Sequence, residues 1–443
     1  MVNNPALHLR VEPRSIDAIK LARGNPRLHR PLQIKQIARS IQTFGFVVPI
    51  LIDRNDTIIA GHGRWQAARQ LGMKDVPVIK LEKLSETQVA AFRIADNRLA
   101  ETSDWDDAIL AETLEALADS ELEFDLDVIG FSMAEIDLRI EAAVGTDTQD
   151  PLDQIPDPPA PAAVSKVADL WRLGDHLLLC GDALSAMSYA RLMAGLRADI
   201  VFTDPPYNKR IHGEVSGNGK IKHREFVMGS GELTPDEFVC FLEKSCGLMA
   251  RHSVDGAIHF LCMDWAHTYE MLRAGQRTYS ELKNICVWVK NNGGLGSLYR
   301  SRHELVFVFK TGTGKHRNNV ELGRHGRNRT NVWEYPAVHG FGRSGDEGNL
   351  LELHPTVKPV RLIAEALLDC SARGDLVLDP FLGSGSTLMA AERTGRICRA
   401  IELDPLYVDV AIRRWQSYTG DVALHADTGV RFDDQVEEVS HGK

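Results

Sequence analysis

Between Asp375 and Glu402 the chain reads Asp375-Leu-Val-Leu-Asp-Pro-Phe-Leu-Gly-Ser-Gly-Ser-Thr387, a helical pattern through Ala391, and then Arg396-Ile-Cys-Arg-Ala-Ile-Glu402. Two short apolar runs joined by a glycine turn and a helix close best as a strand, turn, helix, strand unit with the strands parallel. That commits the domain to an α/β sheet. Gly383 and Gly385 let a ligand approach the backbone at the helix start, and an acid ending the second strand suits ribose hydroxyls. The turn is not the dinucleotide fingerprint, since it opens with Asp379-Pro380-Phe381 and has only two glycines. Nor is it a phosphate loop, because no Gly-Lys-Ser/Thr follows. The layout predicts a nucleotide-type cofactor site.

A second stretch, Ala198-Asp-Ile-Val-Phe-Thr-Asp-Pro-Pro-Tyr-Asn208, reads as a buried parallel strand that stops at an acceptor, two prolines and an aromatic ring. Asp204 can accept from an exocyclic amino group. Pro205-Pro206 fixes where a backbone carbonyl points, and Tyr207 can stack on an extruded base. The plainer reading is a strand followed by an Asp-Pro turn.

Together Asp204-Pro-Pro-Tyr207 and Asp379-Pro-Phe-Leu-Gly-Ser-Gly385 resemble the amino-group DNA methyltransferases that use S-adenosylmethionine, in the class where the catalytic motif precedes the cofactor motif. The resemblance covers about residues 167–420. It implies a Rossmann-like domain, a mostly parallel twisted sheet with helices on both faces, with Asp204, Pro205, Pro206 and Tyr207 catalytic. It assigns the cofactor to Asp182, Lys358, Asp379, Pro380, Phe381, Gly383, Ser384, Gly385, Thr387, Glu402 and Asp404. Gly181-Asp182 follows a predicted hairpin around Gly174-Asp175 and would lie near the adenine; an N-cap near Leu184 is a compatible role for Asp182. In His354-Pro-Thr-Val-Lys-Pro359 the resemblance puts Lys358 near the cofactor carboxylate, with a helix N-cap at Thr356 as the plainer reading. Strands 200–203 and 376–379 are expected to be parallel neighbours.

At 443 residues the chain is long enough for two or three domains. Residues 1–100 read as a smaller α+β domain. Val47–Asp53 and Asp56–Ala60 are predicted strands around Arg54-Asn55, and Gly61-His-Gly-Arg-Trp-Gln-Ala-Ala68 starts a helix, a ready anion site. Asn25-Pro26-Arg27, Gly61-His-Gly-Arg64 and Asp96-Asn97-Arg98 resemble the three boxes of the ParB-like fold, with departures at His62 and Trp65. The resemblance implies a nucleoside triphosphate with Mg at Gly63, Arg64, Asn97 and Arg98; a turn and helix start without a ligand is the alternative. Residues 101–145 form an acidic helical segment, with Leu110, Leu114 and Leu117 on one face. Residues 146–166, holding five prolines, read as a semi-extended spacer. The tail, 421–443, is polar and expected to fray.

The net charge of −10 is unusual for a nucleic-acid binder, but basic residues collect locally. The loop after Tyr207 carries Lys209 and Arg210. The stretch 311–349 mixes Lys315, Arg317, Arg324, Arg327 and Arg329 with Gly, Asn and aromatics, and is expected to supply DNA contacts and target recognition, against a solvated loop. The 7 cysteines show no paired spacing and read as buried, reduced thiols; no metal site is expected. No signal peptide or apolar span is seen, so a cytoplasmic protein is expected, without a membrane partner. Double-stranded DNA is the expected partner, and a homodimer is compatible with the chain.

The resemblance implies methyl transfer to adenine N6, Asp before Pro-Pro-Tyr being more often associated with adenine. Cytosine N4 and RNA substrates stay open, as does a nucleotide-dependent DNA-binding protein with a decayed methyltransferase half. Recognition sequence and restriction partner are not legible.

Overall fold

The computed structural model describes residues 9–22, 26–118, 120, 122, 124–143, 150–154, 163–208, 231–291, 293, 298–320, 322, 329–337 and 357–441. The chain divides into two units, 1–145 and 146–443. The first holds β1 (Val11–Ser15), α1 (Pro31–Phe44), β2 (Ile50–Asp53), β3 (Ile58–Ala60), α2 (His62–Gln70), β4 (Asp75–Leu81), α3 (Glu86–Leu99), α4 (Asp107–Ala118) and α5 (Met133–Ala143). Its four strands lie in the order β1-β4-β2-β3, with β2 parallel to β4 and the other pairs antiparallel. Ile50 and Ile52 alternate inward on β2 and meet Ile58, Trp65, Val76 and Val78 in one core. Leu114, Leu126 and Ile136 make a separate small core under α4 and α5.

In the second unit β5 (Leu170–Leu173) and β6 (His176–Cys180) form the predicted hairpin, followed by α6 (Ala186–Met193), β7 (Ala198–Thr203), α7 (Pro235–Arg251), β8 (Ser253–Met263), α8 (Thr268–Thr278), β9 (Glu281–Val289), β10 (His303–Lys310) and β11 (Val332–Glu334). Then come α9 (Val360–Cys370), β12 (Leu376–Asp379), α10 (Ser386–Arg393), β13 (Ile397–Glu402), α11 (Pro405–Thr419), β14 (Leu424–His425) and α12 (Phe432–His441). The ten strands run β11-β9-β10-β8-β7-β12-β13-β6-β5-β14. From β8 to β6 the pairs are all parallel, and β10 is antiparallel to both β8 and β9.

Successive side chains of a strand go to opposite faces, and both faces are covered. Ile200, Phe202 and Val377 pack with α9, α10 and α11, whereas Val201 and Leu378 pack with α6, α7 and α8. This is why β7 and β12 read as continuous apolar runs. As expected, they are parallel neighbours, Ile200 facing Val377. From β7 the chain goes outward to β8, and from β12 it goes the other way to β13. The crevice at their carboxyl ends is therefore a topological switch point, where open α/β sheets bind ligands.

Three expectations change. The polar tail does not fray at once: β14 pairs with β5 at the sheet edge, and Phe432, fully buried, stands edge-on to Trp171 at 5.3 Å. Phe432, whose burial is worth about 1.5–3 kcal/mol, anchors with Ala423 a stretch that composition marks as polar. The proline-rich spacer is seated where it is described. Val164 and Ser165 donate to the Asp409 carboxylate at 2.7 and 3.0 Å, and Asp150 pairs with Arg393. Of the free cysteines five are buried, but Cys370 is half-buried and Cys240 is exposed.

Candidate active site

The glycine turn between β12 and α10 needs left-handed backbone, with φ of +56° at Gly383 and +94° at Gly385. A Cβ on Gly385 would also come within 3.1 Å of the Ala411 side chain. Asp379, at the end of β12, is buried. Its carboxylate accepts from the Thr203 hydroxyl at 2.7 Å and the Phe381 N–H at 3.0 Å, with the Thr387 hydroxyl also on it. Burial holds it up near 6. Asp379 and Thr387 thus fasten the turn to β7. Glu402, ending β13, accepts the Gly383 and Asp404 N–H groups, each at 2.8 Å, and burial raises it to about 7. Each of its oxygens keeps an acceptor site. Asp182 lies beside it: the Gly181 N–H donates to the Glu402 carbonyl, and the Asp182 carboxylate caps the Leu184 N–H at 2.8 Å. Asp404 caps α11 through the Leu406 N–H. Left-handed glycines with two adjacent carboxylates are a donor and acceptor set that fits a nucleoside-bearing cofactor.

Across the switch point, Asp204 follows β7 directly. Tyr207 donates to its Oδ1 at 2.5 Å, and the Lys358 Nζ donates to its Oδ2 at 2.5 Å. Lys358 also lies 2.9 Å from Glu304, which pairs on its other oxygen with Lys290. Lys358 stands 5.5 Å from the Tyr207 ring centre and 5.7 Å from Trp288, while Lys290 lies over Trp288 at 4.6 Å. Trp288 is itself held by its indole N–H on the Tyr335 carbonyl at 2.9 Å. Two carboxylates and two ammonium groups therefore balance in a nearly dry cluster. Burial pulls Lys358 down, but Asp204 and Glu304 more than offset it and hold it charged. Burial opposes ionisation of Glu304 too, yet Lys358 and Lys290 bring it to about 2. Asp204 goes the other way: burial raises it against the pull of Lys358, and Glu304 adds to the rise.

Lys358 thus belongs to the Asp204 cluster, where two acids face it. Glu304, Lys290 and Trp288 were not anticipated. The usable signal was a glutamate opening the otherwise apolar strand Glu304-Leu-Val-Phe-Val-Phe309.

The basic residues expected to recognise DNA part company. Because β10 runs antiparallel to β8, the chain after Lys310 emerges at the amino ends of the parallel strands, away from Asp204. Exposed Lys315 and Arg317 lie there, Arg317 at 3.7 Å from Asp375, which precedes β12. Arg329 is mostly buried. It pairs with Glu365 and, at 2.5 Å, with Asp369, and lies over Trp333, so it fastens β11 to α9. Lys209, Arg210, Arg324 and Arg327 lie outside the described residues, as does Thr356. Asn208 and Leu233, which bracket 209–230, are held together by a reciprocal pair of bonds at 2.8 and 3.1 Å.

In the first unit Gly61 starts α2 in left-handed backbone, and a Cβ on Gly63 would strike Ile37 at 2.9 Å. The buried His62 Nε2, Arg64 Nε and Arg93 Nε have no hydrogen-bond partner. Burial, then Arg93 and His29, lowers His62 to about 4, so it is neutral. Asn97 accepts from Arg27 at 3.1 Å, whereas Arg98 is largely exposed and pairs with Glu101 at 3.5 Å. Among the described residues no group of three or more His, Cys, Asp or Glu is placed to hold a metal, and no helix is long and apolar enough to cross a membrane.

A switch-point cofactor turn facing an Asp-Pro-Pro-Tyr cluster defines an α/β group-transfer domain, here preceded by a smaller α+β domain. Family models agree along the chain: ParB N-terminal domain at 9–98, ParB-methyltransferase HTH domain at 108–167, and DNA methylase of the N6/N4 type at 198–413. The chain is a ParB-like N-terminal domain fused to an amino-group DNA methylase domain. It is 26% identical to the type II methyltransferase M.HpaI of Haemophilus parainfluenzae over 55% of this chain and 75% of that protein. It is 28% identical to the type II methyltransferase M.HinfI of Haemophilus influenzae over 54% and 68%. A solved complex of M1.HpyAVI with S-adenosylmethionine aligns with a TM-score of 0.40 at 18% identity, over 54% of this chain and 97% of that one.

Proposed function

We propose that this protein methylates the exocyclic N6 of adenine in double-stranded DNA with S-adenosylmethionine as donor, the base being flipped out to Asp204. The observation that carries this reading is the direct tie between the two half-sites. Thr203, the residue before Asp204, bonds to Asp379, the residue that opens the glycine turn. Acceptor and cofactor sites are thereby fixed at adjacent strand ends, as an in-line transfer requires.

The bound cofactor supplies an electrophilic methyl group; the chain supplies position. Each Asp204 oxygen already accepts one bond and keeps a further acceptor site, so the carboxylate can take an amino hydrogen without losing Tyr207 or Lys358. The Pro205 carbonyl, fixed by the prolyl pair, takes the second. Drawing both hydrogens toward acceptors localises the nitrogen lone pair that the ring would otherwise delocalise. Lys358 keeps Asp204 oriented and, with Glu304 and Lys290, leaves the cluster without net charge.

Nucleoside mass spectrometry of duplex DNA incubated with the protein and cofactor tests this. N6-methyladenine that vanishes in Asp204→Ala is expected. N4-methylcytosine would keep the mechanism and change the base, whereas cofactor binding without a modified base would leave the DNA-binding reading or an RNA substrate.

A second site has its own support. Unpartnered atoms of His62 and Arg64 at the start of α2, with that of Arg93 on α3, suit an anion, and a nucleoside triphosphate with Mg is the ligand proposed for Gly63, Arg64 and Asn97. Titration with labelled nucleoside triphosphates, beside Arg64→Ala, decides it; equal affinity in the variant would remove the site.

A further inference from the structure

One buried cation joins the cofactor turn to the chain that leads into the domain. Arg414, on α11, is 3% exposed. Its Nη1 donates to the Ser384 carbonyl at 3.1 Å and to the Ser386 hydroxyl at 3.2 Å, within the turn that starts α10. Its Nε and Nη2 both donate to the Leu152 carbonyl, at 3.1 and 2.5 Å. Asp153 and Asp150 balance its charge from nearby without taking its donors. The same short segment has two more holds. Asp150 pairs with Arg393, the last residue of α10. Asp153 accepts the Val360 N–H at 2.8 Å, the first of α9 and two residues past Lys358.

Residues 150–153 thus grip the helix that begins at the glycine turn, the helix that follows Lys358, and the arginine that bonds the turn itself. A guanidinium has a rigid fork of donors and stays charged, so removing its acceptors on one side leaves buried N–H groups unmatched. Strap and turn can move apart only by exposing or orphaning that fork.

We infer that Asp150–Asp153 is a positioning strap: through Arg414 it sets the Gly383–Gly385 turn for cofactor, and through Asp153 it sets the start of α9 behind Lys358. Cofactor affinity is then governed by the chain entering the domain. The HTH family match, 108–167, runs across this strap. The inference rests on the methyltransferase reading above.

The test uses the full-length chain and isothermal titration with S-adenosylmethionine, with duplex binding by fluorescence anisotropy alongside. The Asp150→Ala/Asp153→Ala double variant and Arg414→Lys are expected to weaken cofactor binding about tenfold or more, the scale of a lost charge-assisted bond, while duplex affinity stays within about twofold. In turnover the cofactor KM rises in both; kcat at saturation holds in Arg414→Lys and falls in the double variant, which also loses the Asp153 hold on the start of α9 behind Lys358. Asp153→Asn, which keeps an oxygen for the Val360 N–H, is expected to restore affinity in the Asp150 wild-type background. Cofactor binding within about twofold of wild type in the double variant overturns the strap, and that variant decides alone if Arg414→Lys does not fold. Wild-type protein that binds no S-adenosylmethionine overturns the reading beneath it instead.

Discussion

Lys358 keeps its charge in a place with hardly any water because two acids share it. Removing one member of a buried ion cluster costs more than the cluster contributes, since the partners keep their charge and lose their compensation. Glu304→Ala is therefore expected to destabilise the fold by about 3–5 kcal/mol in urea unfolding. A change below about 1 kcal/mol would mean that Lys358 and Lys290 reach solvent. Glu402 poses the opposite problem, a lone carboxyl raised to about 7 by burial. Its proton is retained in the fold above the ordinary carboxylate range, so its contribution to stability is full below about 4.5 and is lost as pH rises through about 7. A ribose hydroxyl donating to Glu402 favours the ionised form. Cofactor affinity should therefore rise with pH through that value, by up to about tenfold between pH 6 and pH 8. Titration calorimetry at the two values checks this; a flat profile would place the ribose elsewhere.

Among the elements, those that carry contiguous motifs were legible. The strand ending at Asp204, the glycine turn, the β5–β6 hairpin and the β2–β3–α2 start are each written in neighbouring residues, where period and turn chemistry speak directly. Glu304, Lys290 and Trp288 were not, because only the β9–β10 pairing brings them to Lys358 from another part of the chain. Arg329 was misread for the same reason: its partners, Glu365 and Asp369, sit on a helix that follows it in sequence. The tail was misread because a few buried apolar residues, Phe432 the largest, outweigh a polar average. Phe432→Ala should cost about 3–5 kcal/mol, a value a frayed tail would not show in thermal unfolding. At the glycine turn, Gly385→Ala meets both a left-handed backbone and Ala411. A loss of about 1–3 kcal/mol and weaker cofactor binding are expected, measured by melting with and without ligand.

At the scale of the molecule, each unit has its own sheet and core, so each has its own stability. Calorimetry of the full chain should resolve two transitions. S-adenosylmethionine at a hundred times its Kd should stabilise one of them by about 2.7 kcal/mol, and a nucleoside triphosphate should act on the other. A single transition moved by both ligands would mean that the units unfold together. The bond from Thr203 to Asp379 has one further consequence, for the chain as it is made. It joins residues 176 apart. At the ordinary pace of translation, ~5–20 residues per second, β12 leaves the ribosome roughly 10–35 s after β7. β12 and β13 fill the gap between β7 and β6, so the middle of the sheet is filled late, ahead only of the two-residue edge strand β14. Until then Ile200–Phe202 and Leu177–Cys180 keep bare apolar edges, and the nascent protein is most exposed to misassembly along the line where its chemistry will later occur.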